Sequence, residues 1–313
     1  MTCLRLHDNR PQLSCDTLSC GSISHLHSFE FERPTSVDEA VALFKQHGDN
    51  ARALAGGTDL IVQMRIGRRT PGVVVDMKHI PEVSQITWDP ESGLTVGASV
   101  PSHELYNNRD VRDQYRGLID SGEMSGGTPI QGRASVGGNL CNAAPSADGI
   151  PALIALGAVC NIAGPDGGRE LPVEQFCTAP GQNAMADNEF LVSLFLPKPA
   201  ENSGARYIRF IPRNEMDIAV AGAGVSVVLE NGNFKSARVA LASVAPTPLF
   251  VEAAGSALAG KPVNDESIQA AADAAKAAAT PISDMRGTVE YRKHLCEVLT
   301  RRALNDAVAR ARG

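Results

Sequence analysis

The sequence of 313 residues lacks the features that define several classes of protein. No apolar run approaches the roughly 20 residues of a bilayer-spanning helix, and the first residues contain no basic stretch followed by an apolar core, as a secretory signal would. Positive charge is not in excess either, because 35 acidic residues outweigh 29 lysines and arginines. This balance argues against nucleic acid or an anionic membrane as the main partner. We therefore expect a globular, cytoplasmic protein without a membrane span.

The cysteines form neither a disulfide framework nor a metal-binding pattern. There are seven, an odd number, and their scatter along the chain is typical of reduced thiols in a cytoplasm. Cys3, Cys15 and Cys20 lie near histidines, but their spacing fits no compact zinc or iron–sulfur site, which leaves a metal site there as the minor alternative. We interpret residues 1–28 as a polar, dispensable extension and predict no metal in this chain.

The sequence also lacks the G-x-G-x-x-G fingerprint of dinucleotide-binding domains. Gly222 and Gly224 match only part of it, and their position within a strand-like run indicates a packing feature. No acid–base pair or activated nucleophile stands out, so we predict no catalytic residue. Any chemistry then has to come from a bound group.

From residue 29 onward the sequence predicts alternating helices and short strands. Ser36 and Glu39 form a capping box before a helix that ends near Gly48. Strands are predicted at 52–55, 73–76, 85–88, 94–98, 158–162 and 190–196. A polar stretch rich in helix and strand breakers, residues 197–204, marks a domain boundary.

Beyond this boundary the sequence predicts a small antiparallel sheet with helices. The dipeptide at 231–232 is Asn-Gly, which predicts a hairpin. An alanine-rich helix, capped at Asn264 or Asp265, precedes a final helix over about 288–310. The fold class is therefore α+β, and the predicted parts are 1–28 (extension), 29–84 (α/β unit), 85–200 (second unit) and 203–313 (C-terminal domain).

A glycine loop follows the first predicted strand. It consists of Leu54, Ala55, Gly56, Gly57, Thr58, Asp59 and Leu60. Its paired glycines permit a tight turn in which consecutive N–H groups form an anion-binding concavity. Thr58 has a hydroxyl to donate to a phosphate, and Asp59 is placed to cap the next helix. A purely structural turn is the alternative, because Gly-Gly turns after strands are common.

A second glycine loop lies within a glycine-rich stretch, 126–149, that we expect to be ordered. It consists of Ser135, Val136, Gly137, Gly138 and Asn139. Asp148 suits hydrogen bonds from sugar or ribityl hydroxyls, or alternatively caps the apolar helix that follows. Together the two loops predict a pyrophosphate site, because two glycine turns from different segments are able to hold both anionic ends without any arginine or lysine.

The two loops, in this order and at this separation, resemble those of the FAD-binding medium subunits of the molybdenum hydroxylases. This family includes bacterial xanthine, aldehyde and carbon monoxide dehydrogenases and N-heterocycle hydroxylases. The resemblance extends from residue 29 to the C-terminal helix and includes the blocks Phe29–Pro34, Val75–Ile80, Val96–Ala98, Gly126–Ile130 and Arg213–Ala219. So many blocks in register make the resemblance specific.

The resemblance implies a two-subdomain FAD-binding fold of the PCMH type, like that of vanillyl-alcohol oxidase, followed by a C-terminal domain. It implies that FAD is held non-covalently, with Ala55–Asp59 and Ser135–Asn139 at its pyrophosphate and Leu54 and Leu60 flanking the first segment. Asp148 matches an acidic residue that contacts the hydroxyl-bearing portion of FAD. Leu191 matches an apolar residue that packs near the isoalloxazine, and Arg209 matches a position near the flavin. At the last of these positions some relatives have a lysine.

The resemblance also implies partners. In such complexes a large subunit holds molybdopterin and hydroxylates the substrate, and a small subunit holds [2Fe–2S] clusters. Electrons reach FAD in the medium subunit and then pass to NAD, a quinone or oxygen. We therefore expect an oxidoreductase subunit, within a dimer of heterotrimers.

Three alternatives remain open for the function: a stand-alone flavin oxidase of related fold, a nicotinamide-dependent dehydrogenase, and an assembly subunit that has lost its flavin. Cys141, beside the second loop, is interpreted as a small buried thiol. A redox or covalent-flavin role is the alternative for this residue.

Overall fold

The computed structural model describes residues 26–313. Almost all of the predicted extension, and the alternative metal site at Cys3, Cys15 and Cys20, lie outside the described residues. Within the described part, no helix combines the length and apolar character needed to cross a membrane.

Short strands and helices alternate along most of the described chain, which ends in longer strands and helices. The strands are β1 (Glu30–Glu32), β2 (Ala51–Leu54), β3 (Val73–Asp76), β4 (Ile86–Asp89), β5 (Gly93–Gly97), β6 (Val159–Gly164), β7 (Gly167–Pro172), β8 (Cys177–Ala179), β9 (Gln182–Asn183), β10 (Phe190–Pro197), β11 (Ser203–Phe210), β12 (Ala221–Glu230), β13 (Asn233–Ala242) and β14 (Leu249–Phe250). The helices are α1 (Val37–His47), α2 (Leu60–Arg65), α3 (Pro81–Ser84), α4 (Ser102–Asn107), α5 (Arg109–Gln114), α6 (Arg116–Met124), α7 (Thr128–Gln131), α8 (Val136–Asn142), α9 (Gly149–Ala155), α10 (Glu252–Leu258), α11 (Asp265–Ala278) and α12 (Val289–Ala311).

The first strands form a parallel sheet in the order β1-β3-β2. The central strand β3 is buried throughout, as its run of valines predicts. Ser36 caps α1 by accepting a hydrogen bond from the N–H of Glu39, which confirms the predicted helix start. The Glu39 carboxylate accepts from the N–H of Thr35 at 2.7 Å. The capping box therefore closes one residue earlier than predicted.

The second sheet is antiparallel, in the order β4-β5-β10-β6-β7. Its central strand β10 is the strand predicted at 190–196, and its register against β6 shifts between Leu191 and Ser193. Such an irregularity bends a strand and redirects its side chains. The glycine-rich stretch 126–149 is ordered, as predicted, and contains α7 and α8.

The last four strands form an antiparallel sheet, β11-β12-β13-β14, which packs against α10 and α12. The Asn-Gly turn at 231–232 joins β12 to β13, and Asn264 caps α11 by accepting from the N–H of Ser267 at 2.9 Å, both as predicted. A Cβ on Gly224 would lie 2.6 Å from the carbonyl oxygen of Pro151 in α9. This glycine is therefore a packing feature, as predicted, and it lets α9 approach the sheet.

Ion pairs hold the C-terminal domain against the middle of the chain. Asp120 in α6 accepts hydrogen bonds from Arg206 in β11 and from Arg310 in α12, each at 2.7 Å. Arg238 in β13 donates to the carbonyl oxygen of Ile154 in α9 at 2.9 Å. Arg206 thereby fixes β11 relative to α6, which precedes the second glycine loop, and Arg238 fixes β13 relative to α9, which follows that loop.

The pair formed by Asp284 and Arg292 makes the stability of the C-terminal domain sensitive to acid. The Arg292 guanidinium donates to the Asp284 carboxylate at 2.6 Å, and this bond, with one from the N–H of Arg286, lowers the pKa of Asp284. Since the carboxyl is more acidic in the folded chain, its contribution is present above about pH 4 and lost as the pH falls through the lowered pKa. We expect Asp284→Asn to lower the thermal midpoint at neutral pH and to flatten its fall on acidification. If the thermal midpoint of Asp284→Asn fell as steeply with decreasing pH as that of the unsubstituted chain, the proposed role of this pair would be contradicted.

Candidate functional site

The two glycine loops, loop 1 (residues 54–60) and loop 2 (residues 135–139), come into close proximity. A Cβ on Gly56 would lie 1.8 Å from the carbonyl oxygen of Arg133, a distance that no side chain tolerates. Gly57 has a φ of +76°, a conformation that favours glycine. Lys78 holds the loop from outside by donating from Nζ to the carbonyl oxygen of Ala55 at 2.9 Å. The backbone of loop 1 therefore lies against the residues that lead into loop 2.

Both loops line one cleft of about 540 Å³, a volume within the range of small-molecule sites. Most of the predicted site residues line it: Ala55, Gly56, Gly57, Thr58, Asp59, Leu60, Ser135, Val136, Gly137, Gly138, Asn139 and Leu191. Leu54, Asp148 and Arg209 lie outside this lining. The structure thus brings together the two loops and β10, which are far apart in the sequence.

The wall of this cleft is rich in unpaired backbone donors. The N–H groups that donate to no acceptor within residues 26–313 include those of Gly56, Gly57, Thr58, Val136 and Gly137. The N–H of Gly138 donates to Ser135 Oγ at 3.0 Å, so Ser135 shapes loop 2 as the N-cap of α8. Consecutive free N–H groups form a concavity that favours an anion.

The side chains of the loops differ in what they contribute. Asn139 Oδ1 is buried and has no hydrogen-bond partner among the described residues, which leaves an acceptor that requires one. Asp59 precedes α2 but its carboxylate caps no N–H of that helix, so the predicted capping role is wrong. The cofactor contacts predicted for Thr58 and Asn139 remain predictions.

Asp148 is held by two residues of β11. Its carboxylate accepts from Tyr207 Oη and from Arg209 Nη1, each at 2.6 Å, and the Asp148 and Arg209 side chains are only 8% and 6% exposed. Burial and the adjacent carboxylate raise the pKa of Tyr207 well above its usual value, so its hydroxyl remains a donor. Asp148 makes no side-chain bond to the first turn of α9, so the capping alternative is wrong.

The cleft also contains positive charge that the sequence analysis missed. Arg52 in β2 and Arg69 after α2 both line it. Arg69 Nε donates to Gln63 Oε1 at 2.9 Å, and Gln63 Nε2 donates to Asn142 Oδ1 at 3.0 Å. The basic run at 65–69 was the available signal, but sequence alone does not show which of its arginines faces the cleft.

Cys141 also lines the cleft. Desolvation, with a smaller effect of the nearby Cys177, raises the pKa of the Cys141 thiol to about 12. A thiol in such surroundings stays protonated at neutral pH and is a poor nucleophile. This supports the interpretation of Cys141 as a space-filling thiol.

The cleft suits an elongated ligand with an anionic centre. Its wall carries the free N–H groups of two loops, two arginines and the carboxylates of Asp59, Asp187 and Glu189, and Leu191, Phe190 and Val136 add apolar surface. Within residues 26–313 no group of three or more His, Cys, Asp or Glu side chains is arranged to hold a metal ion. The residues present therefore fit a nucleotide cofactor.

Two protein-family models match the chain. The family described as the FAD binding domain in molybdopterin dehydrogenase matches residues 27–199, which is more than half of the sequence. The chain belongs to this family. The CO dehydrogenase flavoprotein C-terminal domain matches residues 206–307 of the same chain. The α+β architecture and the family expected from sequence are thereby confirmed.

Individual members of the FAD-binding family are similar over nearly their whole length. The carbon monoxide dehydrogenase medium chain of Hydrogenophaga pseudoflava is 34% identical over 90% of this chain and 98% of its own. The xanthine dehydrogenase FAD-binding subunit of Escherichia coli O157:H7 is 29% identical over 90% and 97%. A solved structure of the Hydrogenophaga pseudoflava carbon monoxide dehydrogenase, lacking the Mo-pyranopterin moiety of its cofactor, matches with a TM-score of 0.86 at 33% identity, over 90% of this chain and 98% of that one.

Proposed function

We propose that this chain binds FAD non-covalently between loops 1 and 2 and passes electrons as one subunit of a molybdenum hydroxylase. The observation that carries the proposal is the convergence of two glycine loops with unpaired N–H groups on one cleft, in a chain of an FAD-binding family. When bound, FAD supplies a relay between iron–sulfur clusters and an external acceptor such as NAD, a quinone or oxygen. The chain's own residues bind and orient the cofactor.

Different residues are assigned to different parts of the cofactor. We assign its pyrophosphate to Ala55–Asp59 and Ser135–Asn139, with Leu54 and Leu60 packing at the ends of the first segment, and its isoalloxazine to the apolar surface at Leu191. Asp148 and Arg209 are the proposed contacts to its hydroxyl-bearing portion and to the flavin. The Asp148 carboxylate has lone pairs beyond the two that accept from Tyr207 and Arg209, which supports its proposed contact to cofactor hydroxyls.

The proposed complex contains a large molybdenum subunit and a small [2Fe–2S] subunit, assembled as a dimer of heterotrimers. The medium chains among the relatives support a multi-subunit assembly. Within this chain we propose FAD-binding units at 29–84 and 85–200 and a C-terminal domain at 203–313. The two family matches, which meet between residues 199 and 206, support that division.

Reconstitution separates this proposal from a stand-alone oxidase. The full chain alone should bind FAD, accept electrons from dithionite, and fail to oxidise an aldehyde or N-heterocycle. Addition of the molybdenum and iron–sulfur subunits should make flavin reduction depend on substrate, as followed by bleaching of flavin absorbance. Turnover of such a substrate by the isolated chain, with no molybdenum present, would contradict the subunit role. A chain that binds no flavin would instead favour the assembly-subunit alternative.

A further inference from the structure

A short chain of hydrogen bonds connects three polar side chains along the cleft. Arg69 donates from Nε to Gln63 Oε1 at 2.9 Å, and Gln63 Nε2 donates to Asn142 Oδ1 at 3.0 Å. All three residues line the cleft, and they connect the segment after loop 1 to the end of α8, the helix that loop 2 begins. The Arg69 guanidinium is therefore held in a defined orientation by a bond to only one of its nitrogens.

The charge of Arg69 is not balanced by a carboxylate. Within residues 26–313 no acidic side chain comes within ion-pair distance of Arg69, whereas Arg169, Arg206 and Arg209 each have such a partner. Desolvation, with repulsion from Arg52 and Arg68, lowers the pKa of Arg69. A half-buried guanidinium that is repelled by like charges is stabilised when an anion binds to it.

The orientation of Arg69 suits a phosphate in particular. Its Nε bond to Gln63 leaves the two terminal nitrogens, and a guanidinium fork with both terminal nitrogens free matches the spacing of phosphate oxygens. The free N–H groups of Gly56, Gly57 and Val136 line the same cleft. The wall of the cleft therefore carries both free backbone donors and one oriented positive charge.

We propose that Arg69, positioned by Gln63, binds the pyrophosphate of the FAD dinucleotide and makes the cleft selective for a flavin that carries a diphosphate. This inference rests on the proposed function, because it assumes that FAD occupies the cleft. It adds a cationic residue to a site that the two glycine loops define only through backbone donors. Gln63 and Asn142 are positioning residues in this account.

The test compares FAD with ligands that each contain only one part of it. We expect Arg69→Met in the full chain to raise the Kd for FAD roughly tenfold or more, because a hydrogen-bonded contact between ionised groups is lost. The Kd for ADP, which carries the diphosphate without the flavin, should rise by a similar factor. The Kd for riboflavin, which has no phosphate, should change less than about twofold. Titrations followed by flavin fluorescence, and by calorimetry for ADP, supply the three values.

Neighbouring residues provide the controls. Arg68→Met removes the same charge from an exposed position that does not line the cleft and should change the Kd for FAD by less than about twofold. Arg69→Lys keeps the charge but not the fork and should restore only part of the affinity. Gln63→Leu should weaken FAD less than Arg69→Met, and the double variant should be no weaker than Arg69→Met alone, because Gln63 acts through Arg69.

The outcomes separate this inference from the proposed function. Equal loss of FAD and riboflavin affinity in Arg69→Met indicates a folding defect or a flavin contact and contradicts a phosphate contact. Unchanged FAD affinity in that variant overturns the role of Arg69 while leaving the proposed function intact. Failure of the unsubstituted chain to bind FAD overturns both.

Discussion

Replacement of Gly138 by aspartate should weaken FAD binding by roughly a hundredfold or more. Gly138 lines the cleft, and a Cβ there would lie 2.9 Å from Ser135 Oγ and 3.9 Å from the Cβ of Ala55, so a new side chain enters the space between the two loops. Two unit charges about 4 Å apart repel with about 4 kcal/mol at an effective dielectric constant of about 20. The Kd for FAD should therefore rise by roughly a hundredfold to a thousandfold.

Gly132 provides the matched control for this substitution. It lies at the end of α7, shortly before loop 2, and a Cβ there would meet no atom within 4 Å. Gly132→Asp adds the same charge outside the lining of the cleft and should keep the Kd for FAD within about threefold of the unsubstituted value. Gly137 is a poorer choice, because a Cβ there would lie 2.5 Å from the carbonyl oxygen of Ala98 and would disturb packing. Normal FAD content in Gly138→Asp would contradict the assignment of loop 2.

Removal of the Asp148 carboxylate should destabilise the flavin-free chain by about 3 kcal/mol or more. Asp148→Ala leaves the Arg209 guanidinium, which is only 6% exposed, without its carboxylate and removes the acceptor of Tyr207 Oη. A buried charge that loses its partner typically costs about 3–5 kcal/mol. Urea unfolding of the full chain, followed by circular dichroism, measures the change.

Two further variants test whether the unpaired, buried charge of Arg209 causes the loss of stability in Asp148→Ala. Glu230→Ala breaks an exposed pair with Lys235, whose side chain is 59% exposed, and should cost less than about 1 kcal/mol. The double variant Asp148→Ala/Arg209→Met removes both charges and should recover much of the lost stability. A double variant less stable than Asp148→Ala would show that Arg209 stabilises the chain by another route.

A third substitution at this site, Asp148→Asn, separates two roles of the carboxylate. If the carboxylate only holds β11 near α9, Asp148→Asn should lower stability and leave the affinity for FAD nearly unchanged once the chain is folded. If it also accepts from cofactor hydroxyls, as the family resemblance implies, FAD and riboflavin should both bind more weakly. The two effects are measured independently, the first in the absence of flavin.

Features encoded by a few neighbouring residues could be predicted from sequence. The cap at Ser36, the turn at 231–232 and the cap at Asn264 each depend on local backbone hydrogen bonds, and each appears in the structure. The paired glycines of loops 1 and 2 were also recognisable, because a tight turn with free N–H groups needs little more than the local sequence.

Features that depend on contacts between distant segments could not be predicted in the same way. The partners of Asp148 lie in β11, on the other side of the predicted domain boundary, and nothing near residue 148 indicates them. The contact of Gly56 with Arg133 and the orientation of Arg69 toward Gln63 likewise depend on how the sheets pack. The sequence contains several arginines after loop 1, but only the fold determines which of them faces the cleft.

The flavin content of the purified full chain tests the central claim most directly. We predict one FAD per chain, released completely by denaturation, with the polypeptide mass equal to that calculated from the sequence. Absorbance of the supernatant after acid precipitation, together with mass spectrometry of the intact chain, measures both quantities. A chain that contains no FAD and binds none on titration, or one whose mass includes a flavin, would contradict non-covalent binding of FAD between the two loops.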